Sequence, residues 1–118
     1  MAKVQFNETQ KAALVSLLIE MINADKVVDP TECEVFDTIC AECGIEDDTF
    51  RLGRSLNSMV AIDIMKRMND VQKIATARML IRVIDADAHD DDKEIRLFNV
   101  ICSATGVDVL INAMGVED

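Results

Sequence analysis

The sequence predicts an all-α protein, a compact bundle of about seven helices with two repeated helix-turn-helix pairs, and three observations predict it. Half of the 118 residues are hydrophobic, yet there are four Phe and no Trp or Tyr. The core must therefore be built from Leu, Ile, Val, Ala and Met, which suit interdigitating helices better than a sheet sandwich. A single Pro and four Gly leave long stretches without a helix breaker. Finally, residues 18 to 44 lie without a gap over residues 80 to 106, with identity at eleven of 27 positions. These are Leu18/Leu80, Ile19/Ile81, Ile22/Ile84, Ala24/Ala86, Asp25/Asp87, Asp29/Asp91, Glu32/Glu94, Phe36/Phe98, Ile39/Ile101, Cys40/Cys102 and Gly44/Gly106. The length suits one domain, spanning 1 to 118.

Asn7, with Gln10 three residues later, opens the first helix as a capping box. From Ala12 to Ala24 the helix carries Leu14, Leu17, Leu18 and Met21 at helical spacing, with Val15, Ile19 and Ile22 widening the stripe, so it should be largely buried. Asp29-Pro30-Thr31-Glu32 reads as a second helix start, with the cap, a proline at the first helical position and a glutamate at the third. That helix runs to about Cys43, where Gly44 ends it as a left-handed cap. Asp47 or Asp48 should cap a third helix through about Ser55, with Phe50 and Leu56 inward and Gly53 weakening it. Asn57 or Ser58 begins a fourth, ending near Met68. A fifth, capped by Asn69 or Asp70, carries Ile74, Ala77, Leu80, Ile81 and Ile84. Asp91 and Glu94 repeat the capping box for the sixth, which ends at Gly106, and 107 to 114 can close the bundle.

The net charge of −10 argues against a nucleic-acid partner, whose binding is built on phosphate neutralisation by Lys and Arg. Its distribution is polarised. Residues 1 to 50 carry three basic and eleven acidic side chains, 51 to 82 seven and two, and 83 to 118 two and nine, so that acidic flanks enclose a basic middle. Arg51, Arg54, Lys66, Arg67, Lys73, Arg78 and Arg82 are either solvated helix faces that offset self-repulsion or a dock for an acidic partner or anionic surface. No stretch approaches eighteen uninterrupted apolar residues and the N-terminus has no leader pattern, so no transmembrane segment and a cytoplasmic protein are expected.

The two acidic turns share the pattern Asp-x-x-x-Asp-x-x-Glu. Asp29 with Glu32, and Asp91 with Glu94, have a structural explanation in satisfying the orphan amides of a helix start. Asp25 and Asp87 do not, because each sits near a helix C-terminus, where the macrodipole disfavours negative charge. Either each carboxylate turns back onto amides of its own loop, or the turns hold a hard divalent cation. In the second case the metal ligands are Asp25, Asp29, Glu32, Asp87, Asp91 and Glu94, with Asp85, Asp90 or Asp92 adding charge. All-oxygen ligation selects calcium, magnesium or manganese over zinc. An EF-hand begun at Asp85 fails, with His89, Asp90 and Arg96 at positions five, six and twelve. A di-iron bundle fails as well, because the only histidine, His89, has no Glu-x-x-His partner helix.

These paired Ala-Asp turns, Ala24-Asp25 to Glu32 and Ala86-Asp87 to Glu94, each with an acidic cap and a Glu opening the next helix, resemble the TerB-like family, named for a tellurite-resistance protein. The resemblance runs from about residue 8 to 115. It implies a seven-helix bundle in a cytoplasmic stress-response assembly, a divalent cation at the acidic cluster, and a protein partner that extends to membrane-associated stress complexes.

Cys40-Ala-Glu-Cys43 is a C-x-x-C motif, but Cys33 and Cys102 supply no second pair for zinc, and its place at a helix C-terminus opposes a thiolate. Cys40 and Cys102, at equivalent repeat positions, read as small buried hydrophobes. Met59, Met65 and Met68 fit either core filling or an adaptable surface. No nucleophile with a His partner, phosphate-cradling Gly loop or dinucleotide fingerprint is present, so no enzyme is expected. Two functions are open, a cation-binding helical module and a metal-independent interaction domain that uses the basic segment.

Overall fold

The first helix, α1 (Glu8–Ile22), is buried without interruption from Ala12 through Leu18, and again at Met21 and Ile22. A helix that is apolar on every side can only be stable inside. It accordingly packs against five others. These belong to the series α2 (Pro30–Cys43), α3 (Asp47–Ser55), α4 (Ser58–Lys66), α5 (Asp70–Ala86), α6 (Asp92–Thr105) and α7 (Val107–Ala113). The computed structural model describes residues 4–24, 30–86 and 92–113, and among them there is no strand. The expected all-α globule is therefore the observed one.

Several helix starts and stops among the described residues have a local cause. Asn7 accepts from the Gln10 backbone N–H at 2.7 Å while the Gln10 side chain accepts from the Asn7 N–H at 2.9 Å. Asn69 and Gln72 repeat the same exchange at 2.8 and 3.1 Å where α5 begins. Asn57 caps α4 by accepting from the Met59 N–H. At α3 the expectation shifts by one residue: Glu46 is the cap, without a side-chain bond, and Asp47 and Asp48 lie in the first turn, where their charge suits the dipole. Gly44 and Gly106 end α2 and α6 with φ of +66° and +84°. Lys11 Nζ donates to the Gly44 carbonyl at 3.4 Å. Its counterpart Lys73 lies beside Gly106, with Nζ 4.0 Å from where a Cβ would stand. A basic side chain thus meets the electronegative end of each repeat's second helix.

The core is aliphatic, as composition requires, with Leu14, Leu17, Leu18, Met21, Ile39, Met65, Leu80 and Ile101 fully buried. Phe36 and Phe50 meet at a centroid distance of 5.9 Å between α2 and α3. Of the α5 residues expected inside, Ala77 and Leu80 are buried and Ile74 and Ile84 half-buried, whereas Ile81 is 38% exposed and Val83 takes the inner position. Thr76, Ala77, Leu80 and Val83 make the buried stripe, and Ile81 falls beside it. Met65 and Met68 belong to the core, while Met59 is 73% exposed.

Gly53 is better explained by space than by helix weakening. A Cβ there would stand 2.5 Å from Val15 Cβ and 2.8 Å from the Ala12 carbonyl oxygen, so its absence lets α3 lie directly on α1. Ser16, buried on the same helix, donates to the Leu56 carbonyl at 3.1 Å and ties down the corner between α3 and α4. Gly44 differs, because nothing lies within 4 Å of its would-be Cβ and only its left-handed backbone matters. Gly53→Ala should lower stability by about 1–3 kcal/mol through overpacking, and Gly44→Ala by about 1–2 kcal/mol through strain. In urea titrations followed by circular dichroism, Val15→Ala should relieve part of the first loss and none of the second.

Candidate functional site

Two of the six expected cation ligands lie within the described residues, and they occupy matching places. Glu32 is the third residue of α2 and Glu94 the third residue of α6. Both are 0% exposed, and all four of their carboxylate oxygens are buried. Acidic side chains are seldom fully buried unless something offsets the loss of hydration. Part of the offset is built in, since the first turn of a helix carries positive potential. Asp25, Asp29, Asp87 and Asp91, together with His89 and Asp90, lie outside the described residues. Asp85, on α5, and Asp92, at the start of α6, are exposed. Among the described residues no three His, Cys, Asp or Glu side chains converge as a metal-binding group.

The repeat extends further upstream than 18 to 44 over 80 to 106. Asn7, Gln10 and Lys11 stand 62 residues before Asn69, Gln72 and Lys73, the same offset. Their side chains meet: Gln72 Nε2 donates to Gln10 Oε1 at 3.0 Å and to the Gln5 carbonyl at 2.7 Å, while Gln10 Nε2 approaches Gln72 Oε1 at 3.4 Å. The two first helices of the repeats are thus joined at their N-terminal ends. That signal was present in the sequence as a second matched pair of capping boxes.

The basic middle is divided among local tasks. Arg82 forms a two-point pair with Glu42, at 2.8 and 3.3 Å, across α5 and α2. Arg67 pairs with Asp63 at 3.3 Å, and the Arg54 guanidinium lies 5.8 Å above the Phe50 ring. Lys73 serves the end of α6, as described above. Arg78 is exposed and lines an open apolar cleft along α5 with Val4, Asp70, Val71, Ile74 and Ala75.

All four cysteines are thiols rather than half-cystines. Cys102 is buried and Cys40 half-buried, a partial departure from the expected core pair. Burial, followed by the Asp37 carboxylate and the Cys43 thiol, pushes the Cys40 thiol up to about 11. Burial, followed by Asp108, does the same for Cys102. What the C-x-x-C spacing did not reveal is Met79 of α5, whose thioether sulfur lies 3.9 Å from Cys43 Sγ. No methionine in the sequence is marked out for such a contact, because it depends on how α2 crosses α5.

No protein-family profile matches the chain, and no curated protein is significantly similar to it. Among solved structures, a protein of unknown function from Porphyromonas gingivalis is similar at a TM-score of 0.75 and 23% identity, covering 88% of each chain. At that identity the likeness shows the fold, an all-helical bundle of this arrangement.

The Cys102 thiol makes stability depend on pH in a stated direction. Its folded pKa is raised to about 11 from an ordinary 9.0, so the buried neutral thiol stabilises the fold fully below pH 9, and this contribution is lost as pH rises through 11. Across pH 8 to 11, Cys102→Ala should lose less of its melting temperature than wild type does. Parallel slopes would remove Cys102 from the account.

Proposed function

We propose that this protein is a non-enzymatic helical module of the stress-response type suggested by its TerB-like acidic turns, acting in the cytoplasm and binding a divalent cation through Asp25, Asp29, Glu32, Asp87, Asp91 and Glu94. One observation carries the reading: the glutamate of each turn is wholly buried at the same helix position in both repeats. A structural cap can be built from an exposed side chain, and Gln serves as well as Glu at that position. A buried carboxylate adds charge where charge is costly, which suits a cation held from the same turn. Hard oxygen ligands favour calcium, magnesium or manganese.

The two roles separate on conservative substitution. A melt of chelator-stripped wild type should rise by roughly 10 °C at a hundred times the dissociation constant of a bound hard cation. The rise should vanish in Asp25→Asn with Asp87→Asn, and again in Glu32→Gln with Glu94→Gln, although Gln suits the third position of a helix as well as Glu. Unchanged melting in all four cation titrations of wild type, with calcium, magnesium, manganese and zinc, would refute the cation reading.

A specific observation favours a second reading, a metal-independent interaction domain for an acidic protein segment. Val71, 63% exposed, stands with Ile74, Ala75 and Arg78 at successive turns of α5 along the open cleft. Apolar anchors at that spacing beside a guanidinium fit an amphipathic acidic helix. Arg78→Glu should then weaken capture of that partner at least tenfold, while Lys66→Glu, away from the cleft, changes it less than threefold. Equal effects of the two reversals would show that only net charge matters. Among the described residues no helix is long and apolar enough to cross a membrane.

A further inference from the structure

We propose that Cys40, Cys43 and Met79 form a three-sulfur site for one soft monovalent cation, Cu(I), at the crossing of α2 and α5. The observation that begins the argument is the 3.9 Å separation of Cys43 Sγ and Met79 Sδ. Two sulfurs held by one ion at about 2.3 Å, in trigonal or tetrahedral geometry, stand about 3.8–4.0 Å apart. The pair is therefore already at the spacing that an ion needs. Cys40 lies one helical turn before Cys43, on the adjoining part of the same face, where residues three apart are neighbours.

The donor set chooses the ion. Two thiols and a thioether select Cu(I), whereas zinc takes four ligands from Cys, His, Asp and Glu, and a thioether is not one of them. On binding, each thiol gives a proton to water, and two thiolates with one Cu(I) leave a single negative charge. Arg82, held in place by its pair with Glu42, lies close enough to feel the Cys43 charge and adds positive potential on that side. An approach exists as well, because an open cleft is lined by Val4, Glu42, Cys43, Ala75 and Met79.

The other repeat provides an internal comparison. At the positions equivalent to Cys40, Cys43 and Met79 it has Cys102, Thr105 and Leu17. Thr105 is buried and donates to the Ile101 carbonyl at 2.7 Å, and Leu17 is plain core. Packing at this crossing is thus satisfied with one sulfur in one repeat, while the other carries three, two of them in contact.

The test is an anaerobic competition between reduced, metal-free protein and a coloured Cu(I) chelator. Wild type should take one equivalent. Cys43→Ser and Cys40→Ser should each weaken binding at least a hundredfold and Met79→Leu about tenfold, while Cys33→Ser and Cys102→Ser leave it within threefold. Melting curves of the metal-free variants establish that each is folded. X-ray absorption at the copper edge of the wild-type complex, which needs no variant, should show three sulfurs near 2.3 Å. Binding unaffected by Met79→Leu, binding lost equally with Cys33→Ser or Cys102→Ser, or a copper shell of two sulfurs alone would each overturn the proposal. Since the acidic turns are untouched in these variants, the result is independent of the divalent-cation reading.

Discussion

Enclosure of α1 on all sides is the constraint on which the other helices depend. Seven consecutive residues, Ala12 through Leu18, are buried, which covers the full circumference of the helix almost twice. Helices normally pack 8–10 Å apart, and at Gly53 α3 comes so near to α1 that a Cβ would stand 2.8 Å from the Ala12 carbonyl oxygen. Ala12, Ala13 and Ser16 keep part of α1 slender, and Gly53 removes the side chain of α3 that would strike it. The buried hydroxyl of Ser16 is tolerated because the Leu56 carbonyl accepts its proton. Small residues here serve contact rather than flexibility.

Around that centre the molecule is built twice. Capping boxes at Asn7 and Asn69, lysines at 11 and 73, buried glutamates at 32 and 94 and left-handed glycines at 44 and 106 fall at one offset. In the first set Lys11 bonds the Gly44 carbonyl, and in the second Lys73 lies beside Gly106 at the matching place. The units are joined by the reciprocal Gln10–Gln72 contact, in which two amides each use a donor and an acceptor. Only side chains with both functions can exchange bonds in this way. The repeat thus supplies a docking contact in addition to two helix starts.

Much of this was legible in the chain because helix boundaries follow local rules. Capping residues, the proline at the start of α2 and the two glycines each act over one turn, so their effects can be read from neighbours. The alignment begun at residue 18 stopped short because apolar residues dominate the matches, while Asn7, Gln10 and Lys11 are separated from it by the α1 core. Gly53 was read as a local cost, since the contact that requires it comes from 38 residues earlier. The order of Ile81 and Val83 was missed for a similar reason: both lie at helical spacing from the core residues, and the packing of α5 among its neighbours sets which falls inside. Of the site, the importance of Glu32 and Glu94 could be inferred from repetition, but their complete burial could not. The Cys43–Met79 contact had no local signature at all.

What the two halves share and where they differ therefore carry different information. A residue retained at both positions, such as Glu32 and Glu94, does something compatible with two nearly identical surroundings. Both glutamates are buried at the third position of their helices. Cys43 and Met79 have no such twins, because Thr105 and Leu17 complete the same packing without sulfur. Folding alone does not ask for the sulfurs there, since the second unit folds around a hydroxyl and an aliphatic chain. The consequence is one of stoichiometry: chemistry belonging to the shared positions comes in pairs or across the pair, and chemistry belonging to the sulfur crossing comes once per chain.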